Sequence, residues 1–136
     1  MPKKKKEAWR GCPIRYGMGV FGDQWTLLII RDLMFKGKKH YGEFSDPAEG
    51  IATNILSDRL ARLVSDGIIK KDRDPSHGAR FVYRLSEKGK DLLPVMLAIV
   101  EWSAKYDANT ETPPAFLEKL RRDPAALKTE ILQALA

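Results

Sequence analysis

Three features of this 136-residue sequence predict a mainly α fold with a small β-hairpin. Over residues 50–67, Leu56, Leu60, Leu63 and Val64 recur at helical spacing and make one narrow apolar stripe. Just before it, Tyr41 and Phe44 suit a short helix over 40–45, which Asp46-Pro47 ends. Just after it come a strand over 68–73, the turn cluster 74–78 and a returning strand over 80–85. Helix, turn, helix and then a hairpin is the order of a winged helix-turn-helix. Apolar helices on both sides of this unit are additional N- and C-terminal dimerisation helices.

The formal net charge is +6 and unevenly placed. The first 86 residues carry 17 Lys and Arg against 10 Asp and Glu, and the remainder carries 7 against 8. The basic excess therefore lies with the candidate helix, as binding to double-stranded DNA requires. Residues 1–11 form a basic tail, either merely solvated or adding sequence-independent phosphate contacts. Residues 12–106 are expected to be one DNA-binding and dimerisation domain, and 107–136 a helical C-terminal extension. No apolar run follows Lys3–Lys6, so no secretory signal is read. The longest apolar run, 92–100, is too short to span a bilayer and contains Pro94. A cytoplasmic protein without a membrane partner is expected.

Taken in order, Cys12-Pro13 opens an irregular stretch containing Gly17 and Gly19. Asp23 can cap a helix that reaches Lys36 and stops at Gly37. Trp25, Leu28, Ile29 and Leu33 lie on one side of it, and Leu27, Ile30 and Met34 on an adjacent one. So wide an apolar face suits a domain core plus a partner subunit, or a helix wrapped by its own domain. Lys38 and Lys39 form a basic turn before the helix pair, with phosphate contact as their candidate role.

The second helix of the pair has Asn54, Asp58, Ala61, Arg62 and Ser65 opposite its leucines, with Ile55 and Ser57 beside them. No large residue stands on that face, so it is slim enough for a major groove. An ordinary surface helix would show the same pattern. Asn suits adenine and Ser is permissive, which makes Asn54 and Ser57 candidates for base or phosphate contact. Asp58 either pairs with Arg62 one turn on or accepts from a cytosine amino group. Arg59, on the flank, either meets a phosphate or bridges to an acidic neighbour within the fold. Ala52 is the N-cap with Ile51 and Leu56 as a staple, or Thr53 caps one residue later. Gly67 is the left-handed stop.

In the returning strand Phe81, Tyr83 and Leu85 share one face, and Arg80, Val82 and Arg84 the other. Lys70, Lys71, Arg73, His77 and Arg80 make the tip and polar side basic, either to meet phosphates or to guard a hairpin edge. Ser86 can cap a long helix reaching Tyr106. Its apolar residues cover most of its circumference, which a dimer interface or the last segment would bury. Two short helices follow, over 115–122 and 124–136, with Asp123-Pro124 in the N-cap and N1 pattern.

Catalysis has no support. His40 and His77, with one distant cysteine, make no metal site. No Gly-rich phosphate loop follows a strand, and Gly17, Gly19 and Gly22 do not fit a dinucleotide fingerprint. No enzyme activity, cofactor or metal is expected. The single cysteine excludes an intramolecular disulfide, and Cys12 near Arg10 and Arg15 is either a reactive thiol or an inert buried one.

An ordered set of short motifs carries a family resemblance. It comprises Cys12-Pro13, Gly22-Asp23-Gln24-Trp25-Thr26, Tyr41-Gly42-Glu43-Phe44, Gly50-Ile51, Leu56, Arg59-Leu60, Leu63 and Asp66-Gly67-Ile68-Ile69. Tyr83-Arg84-Leu85-Ser86, Gly89, Leu93-Pro94 and Trp102 close the set. Over residues 12–102 the chain resembles the HxlR-type winged-helix transcription regulators of prokaryotes. The resemblance implies a homodimeric, sequence-specific DNA-binding regulator, in the first instance a repressor, acting on a near-palindromic operator. Some members of the family use the cysteine before the proline as a sensor of oxidants or electrophiles, which by position is Cys12, so the resemblance implies an oxidant or an unknown small molecule as effector. The alternative is a winged-helix protein-interaction module whose polar helix face meets a protein.

Overall fold

The structure, a computed structural model, describes residues 10–135. The lysine run of the basic tail lies outside the described residues, as does Ala136.

Helix α1, Pro13–Phe21, starts at Cys12, whose Sγ accepts the Arg15 N–H at 3.4 Å. The sequence pattern suggested irregular chain here because of Gly17 and Gly19. Pro13 supplies a pre-set first helical φ, and the Phe21 ring lies against Gly17, so the helix forms despite them. Helix α2, Gln24–Phe35, is capped by Asp23, which accepts the Thr26 N–H and hydroxyl at 3.0 and 3.2 Å. It ends at Gly37 with φ +65°.

The short helix α3, Tyr41–Phe44, has a capping box between His40 and Glu43. Helix α4, Thr53–Ser65, follows with Ala52 as its N-cap. It terminates in a Schellman motif. Gly67 has φ +74°, its N–H reaches the Val64 carbonyl, and the Ile68 N–H reaches that of Leu63.

Strands β1, Ile69–Asp74, and β2, His77–Leu85, pair antiparallel from Ile69 opposite Leu85 to Arg73 opposite Phe81. A register irregularity then brings Asp74 opposite His77.

The long helix expected over 86–106 is two helices, α5, Glu87–Lys90, and α6, Leu93–Tyr106. Pro94 has no N–H to return to the Lys90 carbonyl, so the first helix cannot run on through it. Ser86 caps α5 as expected, accepting the Gly89 N–H at 3.1 Å. Gly89 is required by close approach, because a Cβ there would lie 2.2 Å from the Ile68 carbonyl oxygen. Helices α7, Pro114–Arg122, and α8, Pro124–Leu135, complete the chain. Asp123 accepts the Ala126 N–H at the start of α8.

One core joins these elements. It contains Ile29, Ile30, Leu33 and Met34 of α2, Phe44 of α3, Leu56, Leu60 and Leu63 of α4, and Tyr83 and Leu85 of β2. Leu93, Met96 and Leu97 of α6, Leu120 of α7 and Leu127 of α8 extend it. The two apolar sides of α2 are thus both largely buried by its own chain, because the last two helices fold back on it. Phe116 packs edge-on to Phe35 at 6.2 Å. Val64 leaves the leucine stripe and is 37% exposed. On α6 the apolar circumference divides. Leu93, Met96 and Leu97 are buried, while Ile99, Trp102 and Tyr106 face solvent.

Candidate nucleic-acid interface

Leu56, Leu60 and Leu63 anchor α4, so the opposite face is turned outward. Thr53, Asn54, Ser57, Asp58, Ala61, Arg62 and Ser65 are all exposed there. No side chain caps the helix, because Ala52 has no acceptor and Thr53 is already the first helical residue.

The Tyr41 hydroxyl reaches across from α3. It donates to the Thr53 carbonyl at 3.2 Å and lies 3.1 Å from Ser57 Oγ. Tyr41 thus braces the first turn of α4 and occupies one hydrogen-bonding position of Ser57. Sequence reasoning did not assign this role, because the contact spans 16 residues and no local pattern encodes it.

Of the two roles open to Arg59, the structure forms the internal bridge. Its Nε donates to Asp23 Oδ2 at 2.8 Å and its Nη1 to Asp58 Oδ2 at 2.6 Å. The Arg59 guanidinium holds the Asp23 carboxyl down at about 2, helped by the Thr26 N–H and opposed by partial burial. Asp58 also lies 3.8 Å from Arg62, one turn on. Arg62 is more than half exposed on the same outward face as Asn54 and Asp58.

The outer half of the wing holds Arg73, His77 and Arg80, while Lys70 and Arg84 pair near its root. Arg73 donates to the Gly78 carbonyl at 2.8 Å and stacks over Phe81, and the Lys71 ammonium lies 4.3 Å over the same ring. His77 is exposed. Arg80 instead turns back to Asp74, with contacts of 3.1 and 2.9 Å.

The two lysines of the basic turn part company. Lys38 is largely covered and faces Asp32 at 3.3 Å and Asp46 at 3.9 Å. Lys39 is exposed, while its backbone N–H donates to Glu43. That bond, with those from His40, lowers the Glu43 carboxyl below its ordinary range. Cys12 is half-buried and stands at the N-terminus of α1.

Among the described residues no group of three or more His, Cys, Asp or Glu is placed to hold a metal ion. No helix among them is long and apolar enough to cross a membrane.

This arrangement, a bare-faced helix braced by a short partner and flanked by a basic hairpin, has counterparts among known proteins. The family model for the HxlR-like helix-turn-helix matches residues 20–111. The chain belongs to this family. The uncharacterised HTH-type transcriptional regulator sll1512 of Synechocystis sp. is 34% identical over 88 residues, which are 65% of this chain and 64% of that protein. The chain thus spans just under two thirds of that relative's length. Among solved structures, PA1607 superposes with a TM-score of 0.66 at 38% identity, covering 72% of this chain and 67% of that one. The redox regulator HypR, in its oxidised form, gives 0.61 at 29% identity, covering 69% and 96%. The shared HxlR-like core therefore contains the helix pair, the wing and α6. Helices α7 and α8 lie beyond the matched residues.

Proposed function

We propose that this HxlR-like protein is a transcription regulator that binds double-stranded DNA in the cytoplasm as a homodimer. The observation that carries the reading is the outward face of α4, polar, slim and free of large side chains, with a basic wing beside it. In the bound state Asn54, Thr53 and Ser57 face base edges, while Arg62, Arg73, His77 and Lys39 meet phosphates. Two such helices in a dimer would address successive major grooves of a near-palindromic operator, about 34 Å apart.

Replacing Arg62 or Arg73 with Ala is expected to weaken all duplexes alike and to flatten the salt dependence of binding. Asn54→Ala is expected instead to change sequence preference. Anisotropy titrations on duplexes selected from a random pool, and on random duplexes, distinguish the two. Identical effects from both changes would overturn the assignment. Absence of affinity for any duplex at low salt would favour a protein-interaction module.

An oxidant response through Cys12 belongs to the same proposal. Its thiol sits at the N-cap of α1, half-buried, and the similar HypR is a redox regulator. Running the titrations with reduced and peroxide-treated protein tests it. Unchanged binding after treatment would remove the sensor role.

A further inference from the structure

A buried carboxylate stands at the outer end of β1. The Asp74 side chain is 6% exposed, in a hairpin whose neighbouring residues 70–73 and 75–80 are all exposed. Such a group is costly unless several donors meet it. Its Oδ1 accepts the Ser76 N–H at 2.9 Å and the Ser76 hydroxyl at 2.7 Å. Its Oδ2 accepts Arg80 Nε and Nη2 at 3.1 and 2.9 Å, and lies 3.1 Å from His40 Nε2. The other ring nitrogen of His40 is 2.9 Å from Glu43 Oε1, the same oxygen that closes the α3 capping box.

The contacts form one continuous chain from wing tip to the first helix of the pair, across 34 residues of sequence. Ser76 and Arg80 drive the Asp74 carboxyl well below the usual carboxylate range, so it is a full anion at neutral pH.

The mechanical context gives this network a task. A two-stranded ribbon holds its position only by leaning on something else. At the root of the hairpin Tyr83 and Leu85 are in the core, and the Tyr83 N–H donates to the Lys39 carbonyl at 2.8 Å. Beyond Phe81 no side chain of the hairpin except Asp74 is buried.

We infer that Asp74 is the positioning residue of the wing, fixing its outer half against α3 through His40 and Arg80, so that wing and α4 meet a duplex as one preorganised surface. The inference rests on the DNA-binding reading. It also reassigns Arg80, which acts through Asp74 rather than on a phosphate.

Asp74→Asn tests this with little change of shape. The amide keeps an acceptor for the Ser76 turn but can present an NH2 group to Arg80 and His40. Two selected duplexes are titrated, one trimmed to the half-sites and one extended past them under the wing. On the extended duplex the variant should bind about tenfold more weakly, as for loss of one or two ordered phosphate contacts, and on the trimmed one it should match the wild type. His40→Ala should give the same pattern, and the double variant should be no weaker than Asp74→Asn alone. His40 is a partly exposed cap residue outside the core, so its variant keeps the test open if Asp74→Asn does not fold.

Hydrogen exchange of the free proteins supplies a readout without DNA. Amides of residues 75–81 should exchange faster in both variants while those of α4 are unchanged. Equal losses on both duplexes, or unaltered exchange in the wing, overturn the inference. If the wild type binds neither duplex, the DNA reading fails, and the exchange data still decide whether Asp74 holds the wing.

Discussion

Asp23 serves two elements at once. It caps α2 through Thr26, and its other contacts hold Arg59 of α4. Because the Arg59 guanidinium favours the charged form, the folded-state pKa lies near 2 against an ordinary 3.8. A depressed carboxylate contributes stability that is complete above the unfolded value and is lost as pH falls through the folded one. Asp23→Asn isolates this charge, since Asn remains a good N-cap. Urea denaturation should show the wild type more stable at pH 7, with its lead shrinking between about pH 4 and pH 2. A lead that persists at pH 2 would mean that the Arg59 bridge contributes nothing through charge. At this scale the sequence supported two partners for Arg59, a phosphate or a carboxylate. The choice required knowing that α2 begins beside α4, a fact of packing 36 residues away.

Element boundaries were legible where the chain carries its own punctuation. Asp23, Gly37, Gly67, Ser86 and Asp123 all act where capping chemistry placed them. Misreadings came where two rules competed. In α1 the two glycines outweighed Pro13, although Pro at the first helical position is a strong start. Around Pro94, hydrophobic periodicity masked a missing donor, and one helix was expected where two form. At α4 the cap position falls on Ala52, which leaves the first N–H groups without a side-chain partner. An Ala52→Ser variant should therefore gain about 1 kcal/mol, seen as a raised denaturation midpoint. Ala52→Asp should gain as much in the free protein and bind duplexes more weakly, because its carboxylate enters the phosphate field. If both variants bind as the wild type does, the start of α4 does not approach DNA. The legible part of the candidate interface is thus the outward face of α4. Its bracing by Tyr41 and the wing latch at Asp74 are tertiary contacts with no periodic signature.

At the scale of the whole molecule, the distribution of apolar surface is the property that local rules do not explain. Helices α7 and α8 cover the flank of α2, with Leu120 and Leu127 in the core, and so use up the face first available to a partner. What remains outside is concentrated elsewhere. Six of the eight large apolar side chains exposed among the described residues lie on α1 and α6, namely Ile14, Tyr16, Met18, Ile99, Trp102 and Tyr106. Trp102 and Tyr106 pack on each other, with ring centroids 5.3 Å apart, and both are 66% exposed. Exposed aromatic and aliphatic groups gathered on two helices mark an association surface. In the homodimer proposed above, a second copy of the chain would supply the matching surface by symmetry, since an isologous contact pairs the same elements with themselves. Sedimentation should therefore find a dimer at micromolar concentration, and Trp102→Glu should shift it to monomer without lowering the denaturation midpoint of the monomeric unit, because this side chain is outside the core. If the chain dimerises as proposed, duplex binding should need two half-sites. The monomeric variant should bind a two-half-site duplex no better than a single half-site, whereas the wild type should prefer the former by a hundredfold or more, on the order of a short-linker effective concentration. A wild-type monomer, or a dimer indifferent to Trp102→Glu, would require the partner surface to lie on other elements.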